Sequence, residues 1–218
     1  MNFKQCKATN CGGKRTQSIK YIVIHYTANN GDTASGNANY FANNTVKASA
    51  HYFVDENEIW QSVKEDVVAW HCGGGLQGSG GHSFYGQCTN GNSIGIELCS
   101  RKNADGTYYF KDGTVENAIR LVRQLMAKYN IPASRVIRHY DVTGKMCPMP
   151  FVNADRWAKF KKQLEAIEVE KQKKIKLNGK EKTVHVIEKD GYNYIKLQDL
   201  RDDKIEIGYD GVPVVEVK

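Results

Sequence analysis

Residues 19–27, IKYIVIHYT, decide the fold. Their central run, residues 21–24, is apolar and rich in β-branched side chains, and the sequence turns polar soon after His25. Short runs of this kind are typical of fully buried β-strands. We therefore predict a buried strand that ends near His25.

Strands and helices alternate on the C-terminal side of this stretch. Residues 49–63, SAHYFVDENEIWQSV, have the pattern of a β-hairpin with DEN as the turn. Residues 92–100, NSIGIELCS, predict another strand, in which Glu97 points to the face opposite the isoleucines. Helices are predicted at 33–43, from a cap at Thr114 to about residue 129, and from about Asn153. The pattern predicts an α/β fold, with a central mixed β-sheet flanked by helices.

The composition is that of a globular protein with one or two domains. The chain has 218 residues, of which 40% are hydrophobic and 25% charged. No apolar run reaches the ~18 to 20 residues of a membrane span, and residues 1–13 lack the apolar core of a signal peptide. We therefore expect synthesis in the cytoplasm and mostly free thiols among the six cysteines. Only Cys6 and Cys11 have the spacing of a local bridge.

Positive charge is concentrated in the first part of the chain. Residues 1–175 carry 23 Lys and Arg against 15 Asp and Glu, whereas residues 176–218 carry 8 against 9. A basic surface would attract a polyanion such as nucleic acid, an anionic membrane or an anionic cell wall, although it can equally serve solubility. No interleaving of aromatic and basic residues is visible, so we predict no nucleic-acid partner.

The last forty-odd residues have a different pattern from the rest. The helix that starts near Asn153 is predicted to continue into the charged segment VEKQKKIK, where its apolar stripe ends. Short alternating runs then follow, separated by NGK, KDG and YDG turns. We predict three parts: a main domain at 1–160, a charged helix or linker at 161–175, and a small β-rich domain at 176–218. A domain so small buries little surface, so it would lean on a neighbour or self-associate.

Three residues are candidates for a metal site: His25, His139 and Cys147. The latter two lie in residues 138–148, RHYDVTGKMCP, at the end of a second short strand. Imidazole and thiolate are preferred zinc ligands, and three protein ligands leave one coordination position open. The spacing by itself is weak evidence, because a strand-end histidine and a buried cysteine are also common without a metal.

The order of several blocks is more specific than any one of them. Together they resemble the zinc-dependent N-acetylmuramoyl-L-alanine amidases of the type 2 family, relatives of the peptidoglycan recognition proteins, over roughly residues 20–160. The blocks are YIVIHYTA, SAHYFVDENEIWQ, AWH, a glycine-rich loop at 73–91, NSIGIEL and RHYDVTGKMCP. The resemblance implies one Zn²⁺ held by His25, His139 and Cys147. It also implies cleavage of the amide between N-acetylmuramic acid and L-alanine in peptidoglycan.

Five further residues receive roles from the resemblance. Glu97 matches a glutamate that acts as the base in some relatives, and Lys145 matches a lysine that faces the reacting oxygen. His51 matches a position close to the metal, where it would donate a proton or share the role of base with Glu97. His71 and Asn92 are predicted at the substrate groove. His71 would contact glycan or stem peptide or else pack beneath the glycine-rich loop, and Asn92 would cap or orient the NSIGIEL strand.

The small domain resembles the cell-wall-binding modules of endolysins and autolysins. Tyr192, Tyr194 and Tyr209 would either contact the wall or fill the small core. The resemblance therefore implies an endolysin, made in the cytoplasm, that acts on a Gram-positive cell wall after release. The alternatives are a non-catalytic peptidoglycan-binding or sensing protein on the same fold, and a host autolysin or recycling amidase.

Overall fold

A computed structural model describes residues 1–165, 171–189, 192–209 and 213–217. The chain divides into two compact units, Met1–Glu165 and Ala166–Lys218. Within the described ranges, no helix has both the length and the apolar character needed to cross a bilayer.

The first unit is built from ten strands and five helices. Its strands are β1 Asn2–Phe3, β2 Cys11–Lys14, β3 Tyr21–Tyr26, β4 Tyr52–Val54, β5 Ile59–Gln61, β6 Val67–Ala69, β7 Ser93–Leu98, β8 Arg101–Lys102, β9 Tyr108–Tyr109 and β10 Val136–Arg138. Its helices are α1 Ala34–Asn43, α2 Asp112–Tyr129, α3 His139–Thr143, α4 Met149–Val152 and α5 Ala154–Glu165.

Six strands form the central sheet, in the order β1-β5-β4-β7-β3-β10. Strand β3 pairs in parallel with β7 and β10, whereas β4 pairs with β5 antiparallel, so the sheet is mixed. The β3–β7 register places His25 beside Glu97. The α/β prediction and the buried strand ending near His25 are confirmed.

Strand β3 is buried on both faces, which explains its continuous apolar run. Ile22 and Ile24 pack into the main core with side chains from β7, α2 and α5. Tyr21 and Val23 pack into a second cluster that contains Cys72 and Cys88. Full burial of each aliphatic side chain contributes roughly 1.5–3 kcal/mol. Because side chains alternate along a strand, His25 lies on the face of Tyr21 and Val23.

Helix α2 begins earlier than the sequence suggested. It starts at Asp112 rather than at a Thr114 cap, and Thr114 is instead a buried residue inside the helix. Asp112 places a carboxylate in the first turn, where the helix dipole favours negative charge. Asn130 ends the helix in the left-handed conformation, with φ of 52°.

The second unit is a small β-rich fold, as predicted. Strands β11 Lys171–Leu177, β12 Lys180–Lys189 and β13 Tyr192–Ile195 form an antiparallel sheet, and β14 Ile205–Tyr209 pairs with β15 Pro213–Val217. Asn178 and Gly179, both with positive φ, make the tight β11–β12 turn. Val184, Val186 and Ile207 are buried, and Tyr194 is exposed. The side chains of Tyr192 and Tyr209 lie outside the described part of the structure.

The expected helix or linker at 161–175 differs from what the structure shows. Helix α5 is described to Glu165, and residues 171–175 belong to strand β11. Within its described part, α5 buries Phe160 and Leu164. Residues 171–177 instead pair with β12 over their whole length.

Candidate functional site

Three donor side chains converge at one end of the central sheet. His25 comes from the end of β3, His139 is the first residue of α3, and Cys147 follows that helix. All three are buried, and one ligand atom from each lies within 4.8 Å of the others. The Cys147 Sγ lies 3.7 Å from His25 Nδ1. The structure therefore brings the predicted metal-binding trio together.

His139 has the features expected of a metal ligand. It is 4% exposed, yet neither ring nitrogen has a hydrogen-bond partner in the part of the chain that the structure describes. Buried polar groups are rarely left unsatisfied. Burial, followed by the nearby charge of Lys145, lowers the pKa of His139 to about 4. The imidazole is therefore neutral near pH 7, which is the form that binds metals.

Arg138 anchors the helix that carries His139. Its guanidinium makes a two-point ion pair with Asp141, at 3.0 Å from Nε to Oδ2 and 2.6 Å from Nη2 to Oδ1. It also donates to the Phe151 carbonyl at 2.8 Å and lies 5.3 Å from the ring centre of Trp157. These contacts fix the β10–α3 junction, and with it the start of the helix at His139.

Replacing Arg138 with alanine should therefore destabilise the first unit. The Asp141 carboxylate, 8% exposed, would lose its partner. Breaking a buried ion pair in this way costs about 3–5 kcal/mol. Denaturant unfolding of the metal-free protein measures the change, with the exposed Arg156→Ala as a control expected to stay within about 0.5 kcal/mol of wild type. Equal unfolding midpoints for the two variants would show that Arg138 is not an anchor.

Glu97 faces the metal-binding trio from the neighbouring strand. Its Oε2 is buried and has no hydrogen-bond partner among the described residues. Burial raises the pKa of Glu97 from 4.5 to about 8, and the charge of Lys145 opposes this shift. Lys145 itself is exposed and follows the left-handed Gly144 that ends α3. A carboxyl group and an ammonium group thus flank the three donors.

The raised pKa of Glu97 predicts a pH-dependent stability of the metal-free protein. The folded carboxyl holds its proton more tightly than the unfolded one, so this stabilising contribution is complete below about pH 4.5 and is lost as the pH rises through about 8. Glu97→Gln removes the titration. The free energy of unfolding of wild type, minus that of Glu97→Gln, should therefore decrease as the pH rises from about 5 to about 9. A pH-independent difference in denaturant unfolding would contradict the assigned shift.

The site opens into a cleft of about 810 Å³. His25, Glu97, His139, Lys145 and Cys147 all line it. Its wall also includes two aromatic side chains that the sequence had not singled out, Tyr40 at 54% exposure and Trp70 at 37%. Trp70 could have been recognised from its position beside His71 in the AWH block. The other two tryptophans, Trp60 and Trp157, pack against core clusters.

His51 is not part of the cleft, contrary to expectation. Its side chain is fully buried, and Nδ1 accepts a hydrogen bond from the Gly95 backbone N–H at 3.0 Å. Nε2 lies 3.0 Å from Arg15 Nη2 and 3.1 Å from the Val67 carbonyl oxygen. Since both nitrogens already have partners inside the protein, neither is available to a reacting molecule. This geometry favours a structural role for His51 over the predicted catalytic one.

Asn92 is likewise a structural residue. It is 7% exposed, and its Oδ1 accepts from the Thr89 backbone N–H at 2.8 Å while its Nδ2 donates to the Gln87 carbonyl at 2.9 Å. These contacts close a capping box just before β7. The expected capping role fits this geometry, whereas a substrate contact does not, because Asn92 does not line the cleft.

His71 lines the cleft but directs both ring nitrogens into the protein. Its Nδ1 lies 3.0 Å from His25 Nε2, and its Nε2 lies 3.2 Å from Ser93 Oγ. The expectation of a direct substrate contact through these nitrogens is therefore not met.

The six cysteines, all within the described range 1–165, are free thiols.

Comparison with known proteins places these features in one family. A family model described as N-acetylmuramoyl-L-alanine amidase matches residues 15–150. A probable N-acetylmuramoyl-L-alanine amidase of Bacillus licheniformis is 35% identical over 171 residues, which is 76% of this chain and 47% of that protein. The chain thus spans about half the length of the curated relatives it matches.

Solved structures show the same similarity for the first part of the chain. The catalytic domain of XlyA is 32% identical with a TM-score of 0.59, and the match covers 75% of this chain and 99% of that one. A mutant endolysin from Bacillus subtilis is 33% identical with a TM-score of 0.59, at 75% and 99% coverage.

Proposed function

The chain belongs to the N-acetylmuramoyl-L-alanine amidase family, and from this premise we propose that it is a zinc-dependent peptidoglycan amidase. It would hydrolyse the amide that joins N-acetylmuramic acid to L-alanine. The observation that carries the proposal is the convergence of His25, His139 and Cys147 on one buried point beside a cleft.

The donor set suits zinc. Imidazole and thiolate are both zinc ligands, and three protein ligands leave a fourth position open, as in catalytic zinc sites. Neither ring nitrogen of His139 has a hydrogen-bond partner among the described residues. Burial lowers the pKa of both His25 and His139, so both rings are neutral donors near pH 7. Burial raises the pKa of the Cys147 thiol, so that metal binding would displace its proton. When bound, zinc supplies Lewis acidity toward the amide carbonyl and toward water.

Glu97 is the proposed general base. It would take a proton from the attacking water and return it to the departing nitrogen of L-alanine. Its pKa of about 8 in the metal-free protein lies near the pH at which the enzyme would work, and a cation at the site would lower it. Its free Oε2 leaves one carboxylate oxygen for this proton.

Lys145 is the proposed electrostatic partner of the transition state. It lines the same cleft as Glu97 and His139, and its charge lowers the pKa of each. An ammonium group at the cleft would stabilise the negative charge that develops on the carbonyl oxygen. His51 is left out of the mechanism, because backbone groups and Arg15 occupy both of its nitrogens.

We further propose that the protein acts as an endolysin with a cell-wall-binding second unit. The similarity to a Bacillus subtilis endolysin supports the first point, and the excess of Lys and Arg in residues 1–175 suits an anionic Gram-positive wall. In the second unit, Tyr194 is an exposed aromatic that a glycan could stack on. Equal binding of the full chain and residues 1–165 to purified sacculi would refute the wall-binding role.

End-group analysis of digested Gram-positive peptidoglycan tests the proposed activity. An amidase releases new amino groups of L-alanine and leaves the number of reducing sugar ends unchanged. New reducing ends would instead identify a glycosidase, and binding of peptidoglycan without any new ends would identify a non-catalytic binding protein.

A further inference from the structure

We propose that His71 is a positioning residue that fixes the tautomer of His25, so that His25 presents its Nδ1 lone pair to the metal. The inference rests on the zinc site proposed above. It assigns to His71 a function inside the protein, in place of a contact with glycan or stem peptide.

A chain of hydrogen bonds leads from the backbone to the metal site. Ser93 Oγ lies 2.5 Å from the Thr89 carbonyl oxygen and 3.2 Å from His71 Nε2. His71 Nδ1 lies 3.0 Å from His25 Nε2. The other nitrogen of His25, Nδ1, is the one that faces Cys147 Sγ, at 3.7 Å. Every link joins neighbouring groups at hydrogen-bonding distance.

The direction of each hydrogen bond follows from the first one. A carbonyl oxygen only accepts, so the Ser93 hydroxyl must donate its proton to Thr89. The Ser93 oxygen is then the acceptor for His71 Nε2–H, which leaves Nδ1 of His71 unprotonated. That nitrogen accepts from His25 Nε2–H, and a neutral His25 therefore carries a lone pair on Nδ1.

Space for the His71 ring is provided by Gly95 in the neighbouring strand β7. A Cβ atom at residue 95 would lie 2.5 Å from Cγ of His71, well inside van der Waals contact. Any larger residue would push the ring away from His25. The Gly95 backbone N–H also donates a hydrogen bond to His51 Nδ1. The His51 ring in turn packs edge-on against His71, with 5.7 Å between the ring centroids. The ring of His71 is thus held from two sides.

Supporting contacts of this kind have measurable effects on metal sites. A ligating histidine commonly donates its second N–H to another group, which sets its tautomer and orientation, and loss of that group costs about 10–100-fold in metal affinity. In this chain the acceptor is another histidine, His71, whose own tautomer is set by Ser93 and the Thr89 carbonyl.

Nitrogen-15 NMR of the histidine rings in the metal-free full-length protein tests the tautomers directly. We expect a single form for each ring, with the proton on Nε2 in both His25 and His71. In His71→Phe, which keeps a ring but removes the acceptor, His25 should become a mixture of tautomers. A proton on Nδ1 of His25 in wild type, or an unchanged His25 in His71→Phe, would overturn the assignment.

Zinc affinity, measured by competition with a chromophoric chelator, tests the consequence. His71→Phe should bind zinc about 10–100-fold more weakly. His71→Asn, whose amide oxygen can still accept from His25, should recover part of this loss. Ser93→Ala should weaken binding, whereas Ser62→Ala, at another fully buried serine outside the chain of bonds, should not. Wild-type affinity in His71→Phe, or equal losses in His71→Phe and His71→Asn, would refute the positioning role.

The two measurements separate this inference from the zinc proposal. If wild type binds no zinc, the metal site is refuted, and the NMR spectra of the metal-free protein still decide the role of His71. If His71→Phe does not fold, as judged by circular dichroism, His71→Asn and Ser93→Ala carry the test.

Discussion

Cys147→Ala is expected to abolish zinc binding and amidase activity together. The thiol is the third of three donors, and it is 4% exposed, so water has little access to replace it. The loss of zinc affinity should be at least about 100-fold, the upper range for residues that only support a ligand. The zinc content after dialysis and the rate of peptidoglycan hydrolysis measure the two effects.

Cys99→Ala is the matched control for this variant. Cys99 is also buried, but it belongs to a cluster around Ala34 and Phe53 and does not line the cleft. It should retain one zinc ion and most of the activity. If Cys147→Ala kept zinc and turnover at the level of this control, Cys147 would not be a ligand.

Glu97→Gln is expected to separate catalysis from metal binding. The amide keeps the size of the side chain but cannot accept a proton from water, and a missing general base costs about 10²–10⁴-fold in kcat. Zinc content should stay at the wild-type level, because Glu97 is not one of the three donors. Turnover at saturating substrate and metal analysis of the same sample test both statements.

The control for this variant is Glu116→Gln, an exposed glutamate of α2. It makes the same chemical replacement on the surface and should leave kcat unchanged. Activity of Glu97→Gln equal to that of Glu116→Gln would remove Glu97 from the mechanism. Loss of zinc from Glu97→Gln would instead show that Glu97 supports the metal site.

The sequence was sufficient for the central strand and the three donors. The apolar run before His25 predicts a strand because it is short and rich in β-branched residues. The donors could be grouped only through the order of the sequence blocks, since their spacing along the chain carries little information. The structure adds that β3 ends where α3 begins, which brings His25 and His139 together.

The orientation of the other histidines could not be predicted in the same way. His51 and His71 both lie in blocks that border the site, and the difference between them depends on which backbone groups face their nitrogens. That is decided by the pairing of β4 with β7 and by the fold of the loop before Ser93, which are long-range contacts. The sequence shows a glycine at position 95 but not the reason for it. In the structure, the His71 ring occupies the space that a side chain at this position would fill.

The strand at residues 171–175 could not be predicted for a different physical reason. A charged segment such as KQKKIK carries no apolar periodicity, so its conformation depends on what it pairs with. Here β12 supplies the partner strand, and Lys173 and Ile175 lie opposite Val184 and Lys182. The predicted helix or linker at 161–175 therefore includes residues 171–175, which pair as a strand.

The central claim is that one zinc ion, held by His25, His139 and Cys147, is required to cleave the amide. The most direct test is to remove metal from the full-length protein with a chelator and then titrate zinc back while counting new amino groups of L-alanine. We predict no cleavage in the metal-free protein and a linear recovery that saturates at one equivalent. Full activity in the metal-free protein, or no recovery with zinc in protein that remains folded, would contradict the account.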